Sequence, residues 1–139
     1  MSSSGPTPAQ RLILARLADI LVAQGLGMPA ASTVGVADDL LDRCLAAAPS
    51  LSEPVLALLD EAPADGLEAF VRRLAADRPG DFAVLSTTVV GAYYLSAEVR
   101  ERIGYPGQQP SPLSAAAEPD YLDMLERVYD RHPGYRGCP

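Results

Sequence analysis

The sequence predicts an all-α fold, with six to seven helices packed around one nearly fully buried central helix. Three observations lead there. Apolar residues recur at helical spacing along most of the 139 residues, and Ser, Thr or Asp stand at segment starts with Gly or Pro at their ends. The most apolar segment, Phe82 to Leu95, spans 14 residues without clean alternation, which is long for a strand. No internal repeat breaks the pattern.

Residues 1–6 read as a tail. Thr7-Pro8 then supplies an N-cap and a proline at the first helical position. Leu12, Ile13, Leu17, Ile20 and Leu21 continue an amphipathic helix to about Gln24, where Gly25, Gly27 and Pro29 end it. Ser32 or Thr33 is the expected cap of a second helix carrying Val36, Leu40, Leu41, Cys44 and Leu45. Ser50 with Glu53, and Asp65 with Glu68, have capping-box spacing for two further helices. Their apolar faces are Val55, Leu56, Leu58 and Leu59, and then Leu67, Phe70, Val71 and Leu74. The Phe82–Leu95 segment is rich in β-branched and aromatic residues, so propensity alone also allows a strand. Its length and the acidic Asp81 near its start favour a buried helix. Ser96 caps a short helix from Ala97 to Ile103, and Gly104 stops it in the left-handed conformation glycine tolerates. Residues 105–118 hold four prolines or glycines that matter here, Pro106, Gly107, Pro110 and Pro112, and read as a proline-rich loop. After Pro119 a last helix carries Tyr121, Leu122, Leu125, Val128 and Tyr129, and Pro133-Gly134 ends it. The organisation is therefore one helical domain over 7–132, followed by a tail over 133–139.

Charge and composition exclude several functions. The net charge is −7 and all eleven basic residues are arginine. An acidic chain with no basic run is unsuited to nucleic acid or anionic membranes, where neutralised phosphates supply most of the affinity. The absence of lysine removes Schiff-base chemistry and lysine-dependent phosphate loops. No stretch reaches the roughly 18 apolar residues of a membrane span. The opening residues lack a basic signal region, so the cytoplasm is the expected location.

Catalytic and metal-binding constellations are equally scarce. His132 is the single histidine. It could act as a base with Asp130 or Asp123, but its place at a helix C-terminus more simply complements the helix dipole. Asp38, Asp39 and Asp42 read as a solvated helix face, and no CxxC, HxxxH or ExxH spacing occurs. Ser86, Thr87 and Thr88 lie in the apolar central segment, with no nucleophile elbow around them. Cys44 reads as a small core residue and Cys138 is penultimate. The expectation is no catalytic residue, no cofactor site and no metal site in this chain.

The tyrosines point elsewhere. All six fall after position 92: Tyr93, Tyr94, Tyr105, Tyr121, Tyr129 and Tyr135. Tyr93, Tyr121 and Tyr129 fit core-facing positions. Tyr94 and Tyr105 flank the short helix and suit a docking surface, because tyrosine and arginine are enriched at protein interfaces. The expected partner interface is Tyr94, Arg100, Tyr105, Pro106, Gly107, Pro110 and Pro112.

An apolar helix ending in Tyr93-Tyr94, a short capped helix, and the run Ile103-Gly-Tyr-Pro-Gly107 resemble the gluconate 2-dehydrogenase subunit 3 family. These are the small subunits of FAD-dependent sugar and alcohol dehydrogenases. Leu17-Ala-Asp-Ile-Leu-Val22, followed by Met28-Pro-Ala-Ala-Ser32, is similar to the family's opening helix and its exit. The resemblance runs over about residues 10–130, and its most specific piece is Ile103–Gly107. It implies a non-catalytic subunit whose large partner, a glucose-methanol-choline type oxidoreductase, carries the FAD and the reacting groups. An electron-transfer protein is a further partner the family admits. Many members carry an export signal; the opening residues here do not read as one, so the expectation is a cytoplasmic heterodimer. Two other readings compete: a stand-alone α-helical small-molecule-binding protein or enzyme with a tyrosine-lined pocket, and a helix-turn-helix regulator, which the negative charge opposes.

Overall fold

A computed structural model describes residues 5–110 and 121–131. Among these residues every regular element is helical, and only an isolated bridge joins Gly25 to Met28. The helices are α1 (Pro8–Leu21), α2 (Asp39–Ala47), α3 (Ser52–Glu61), α4 (Leu67–Asp77), α5 (Pro79–Leu95), α6 (Ala97–Arg102) and α7 (Tyr121–Asp130), with a 3-10 turn at Pro49–Leu51. The fold is all-α, as the apolar spacing predicts. Contacts divide the chain into two compact units, 1–107 with α1 to α6 and 108–139 with α7. The stretch read as one domain, 7–132, spans both.

In the first unit α5 is the hub and packs against α1, α2, α3, α4 and α6. Leu85, Thr88, Val89, Ala92 and Tyr93 are its buried residues. A fully buried leucine or valine contributes about 1.5–3 kcal/mol relative to exposure. The strand alternative therefore loses to tertiary packing: helical spacing places Leu85, Val89 and Ala92 on one core-facing side. Thr88 is made tolerable in the core by a hydrogen bond from its hydroxyl to the Val84 carbonyl at 2.9 Å. Ala83, Thr87, Val90 and Tyr94 form an exposed strip along the opposite side, so the central helix is buried on one face rather than nearly all round as expected. Where α2 approaches α5, Gly91 leaves room for the Cys44 sulfur. A Cβ there would lie 3.2 Å from Sγ. Cys44 is a buried free thiol, and burial raises its pKa above the ordinary thiol value.

Helix starts divide into those the sequence predicts and those it does not. Thr7 caps α1 as expected, and the cap is reciprocal. Its hydroxyl accepts from the Gln10 backbone N–H at 3.2 Å, while the Gln10 side chain accepts from the Thr7 N–H at 2.8 Å. The second helix begins later than Ser32 or Thr33. Residues 31–38 form successive turns, because Gly35 takes a left-handed φ of 78° that interrupts helix propagation. Ser32 instead donates its N–H and hydroxyl to Asp19, at 2.8 and 2.6 Å. The Ser50/Glu53 box does not form, since the 3-10 turn carries the chain into α3 with no side-chain cap. The Asp65/Glu68 box is also absent. Gly66, at φ 74°, precedes α4, and Glu68 pairs with Arg72 one turn on.

Arginines hold the connections. Arg11 donates to the Ala37 and Asp38 carbonyls at 2.8 and 2.9 Å and to both oxygens of Asp42, fixing α1 to the start of α2. Arg16 reaches the Ala64 carbonyl at 2.7 Å. Arg78 bridges Glu61 and Asp81 at the α3 and α5 ends.

The second unit is described by α7 alone. Leu122, Met124, Leu125, Val128 and Tyr129 are exposed, Tyr129 by 77%. Tyr129, expected on a core-facing stripe, is thus exposed, although the apolar residues keep their helical spacing. Tyr121's side chain, together with Pro112, Pro119, His132, Tyr135 and Cys138, lies outside the described residues. So do the tail assignments for 1–4 and 133–139 and the loop beyond 110.

Candidate functional site

The C-terminal end of α5 is anchored before the chain turns outward. Tyr93 is buried, and its hydroxyl donates to the Pro29 carbonyl at 2.8 Å across 64 positions of sequence. Burial, followed by the proximity of Tyr94, raises its pKa above the ordinary phenol value. Tyr94 follows on the other side of the helix, half exposed, with its ring edge-on to Tyr93 at a centroid separation of 5.7 Å. The adjacent tyrosines thus divide their tasks as their helical positions require, one in the core and one at the surface.

Ser96 breaks the helix and starts the next, its hydroxyl accepting from the Val99 N–H at 3.4 Å. Val99 is fully buried and pins the single core-facing position of α6. Arg102 is drawn back toward the α1 exit. It donates to the Gly27 carbonyl at 2.6 Å and pairs with Glu98 at 2.9 Å. α6 then ends in a Schellman turn. The Tyr105 N–H reaches the Arg100 carbonyl at 2.8 Å and the Gly104 N–H reaches the Glu101 carbonyl at 3.0 Å. Gly104, at φ 69°, supplies the left-handed residue this turn requires.

The turn folds Tyr105 and Pro106 back beside α6. Ala97, Arg100, Glu101, Gly104, Tyr105 and Pro106 line a surface pocket of about 500 Å³. The structure therefore brings together Arg100, Tyr105 and Pro106 of the sequence-predicted interface. Tyr94 is exposed but does not line this pocket. Gly107 follows it at φ 91°, half buried. Pro110 is exposed and belongs to the second unit, and Pro112 lies outside the described residues. Sequence reasoning passed over Ala97, Glu101 and Gly104 as pocket walls. The Gly104 stop signal and the helical spacing of Ala97, Arg100 and Glu101 could have found them.

Chemically the pocket offers one guanidinium, one carboxylate, a phenol and the apolar side chains of Ala97 and Pro106. Among the described residues no group of three or more His, Cys, Asp or Glu side chains is placed to hold a metal ion, and no helix is long and apolar enough to cross a membrane. In comparisons with known proteins, no family model, curated protein or solved structure matches this chain.

Proposed function

We propose that this chain is a non-catalytic small subunit that binds and stabilises a large FAD-dependent oxidoreductase acting on sugars or related alcohols, in the cytoplasm. The carrying observation is the α6 turn. Arg100, Tyr105 and Pro106 are set at one pocket by a Schellman turn, and Tyr105 is 49% exposed. An aromatic ring and a proline on a stiff turn lose little conformational entropy on docking, which suits an interface anchor. The same residues form the most specific part of the resemblance to the gluconate 2-dehydrogenase subunit 3 family. In this reading FAD and the reacting groups reside in the partner. Tyr105→Ala is expected to weaken the complex with the flavoprotein while leaving the small subunit's helix content unchanged. Undiminished complex formation by that variant would remove Tyr105 from the interface.

A second reading is a stand-alone small-molecule-binding protein. The pocket volume lies within the roughly 300–1,000 Å³ of small-molecule sites. Retention of a ligand by the purified lone chain would favour it over the subunit reading.

A further inference from the structure

Leu26 stands at the tip of a two-residue hairpin turn. Gly25 and Met28 exchange backbone hydrogen bonds, at 2.8 Å from the Met28 N–H and 3.3 Å from the Gly25 N–H. Between them Leu26 takes a φ of 50° and Gly27 a φ of 81°, the pair of left-handed residues that marks a type I′ turn. Asparagine, aspartate or glycine suits the first of these positions, because a larger side chain there crowds its Cβ against a carbonyl oxygen. Leucine is therefore strained, and among the described residues it is the one non-glycine residue at positive φ. Its side chain is also fully exposed, so no burial within the chain offsets the strain. The turn is held from two helices: Arg102 of α6 donates to the Gly27 carbonyl at 2.6 Å, and Tyr93 of α5 to the Pro29 carbonyl at 2.8 Å. Strain that the surrounding structure holds in place, at a residue serving no contact in its own fold, points to a function outside it.

We infer that Leu26 is an anchor that inserts into an apolar pocket of the large partner subunit, on the same interface as Tyr105. This rests on the subunit reading above and adds a second contact with its own chemistry. A leucine held outward on a braced turn loses little freedom on docking and gains only from apolar surroundings, which sets the chemistry of the receiving site. The charges beside it select nothing else. Gly25, Gly27 and Met28 line a groove of about 370 Å³ with Glu98 and Arg102 of α6, and those two side chains pair with each other at 2.9 Å. Continuity with the α6 turn selects the occupant. Glu98 lines this groove and Glu101 lines the Tyr105 pocket, and residues three apart on a helix are surface neighbours. The six residues of α6 span about 9 Å, so a partner surface of standard size, about 800 Å², is wide enough to meet both.

The test is the affinity of the full chain for the flavoprotein that co-purifies with it, measured by biolayer interferometry and read beside each variant's melting temperature. Leu26→Asn should weaken binding about 10-fold or more, the equivalent of leaving one leucine unburied. The same variant should melt at or above the wild-type temperature, because asparagine accepts the left-handed conformation. Leu26→Met should keep most of the affinity. Leu12→Gln makes a comparable polar change at an exposed α1 leucine and should bind as wild type does. A leucine with a merely structural role would lose stability and affinity together in Leu26→Asn, and that result would overturn the proposal. If no flavoprotein is retained by the wild-type chain, the subunit reading and this inference fall together. If it is retained and Leu26→Asn binds as Leu12→Gln does, this inference alone falls. A homodimer of the lone chain that Leu26→Asn dissociates would assign Leu26 to a second copy and overturn it too.

Discussion

Tyr93→Phe isolates one oxygen atom. The ring stays in place, 3% exposed, and the only direct loss is the 2.8 Å bond to the Pro29 carbonyl. That bond closes the C-terminal end of α5 onto the segment that leaves α1. Removing the donor leaves a buried acceptor unsatisfied, which costs about 1–3 kcal/mol. A carbonyl with a second lone pair falls toward the lower half, about 1.5 kcal/mol. For a chain of this length the melting temperature should drop by roughly 5 °C. The assay is urea unfolding of wild type and variant side by side, read as a change in midpoint at constant slope. The pH dependence gives a second handle. Burial holds the Tyr93 proton to higher pH in the folded state than in the unfolded one. Its contribution is therefore complete below about pH 10, the unfolded phenol value, and declines as pH rises through the folded value. Phenylalanine cannot ionise, so the stability gap between the two proteins should be constant to about pH 10 and narrow above it. Equal stability at neutral pH would refute the bond's role. A gap that stays unchanged far above pH 10 would refute the desolvated-phenol argument.

Two further outcomes follow from the packing. Gly91→Ala should gain about 1 kcal/mol of helix propensity but press a Cβ against the Cys44 sulfur at 3.2 Å. The gain should therefore emerge more fully in a Cys44→Ala background, and a double-mutant cycle by chemical unfolding should show coupling of about 1 kcal/mol; identical effects in both backgrounds would contradict the close approach. Gly104→Ala meets no atom within 4 Å but forces alanine to φ 69°. It should cost about 1–2 kcal/mol in thermal unfolding, and Gly104→Asn less.

Much of the fold is legible in local sequence because its determinants are local. Thr7-Pro8 starts α1, Ser96 starts α6, and Gly104 stops it, each through residues within one turn. The helical state of α5 was also readable, since Phe82 to Leu95 lacks the alternation a half-buried strand needs. What escaped was tertiary. Ser32 serves Asp19 rather than a helix start, and the two capping-box patterns at Ser50 and Asp65 yield to a 3-10 turn and a left-handed Gly66. A four-residue pattern cannot reveal the conformation of the backbone that leads into it. The candidate site divides the same way. Arg100, Tyr105 and Pro106 were legible as an arginine and a stiff aromatic turn. The shielding of the Arg100 Nε was not, because it depends on tertiary packing.

The proposed role is tested most directly by affinity purification of the tagged chain from its native host, with mass analysis and an absorption spectrum of the eluate. The subunit reading predicts a co-purifying chain several times larger, flavin absorption, and dehydrogenase activity on sugars or related alcohols. A colourless, monomeric small protein would contradict it.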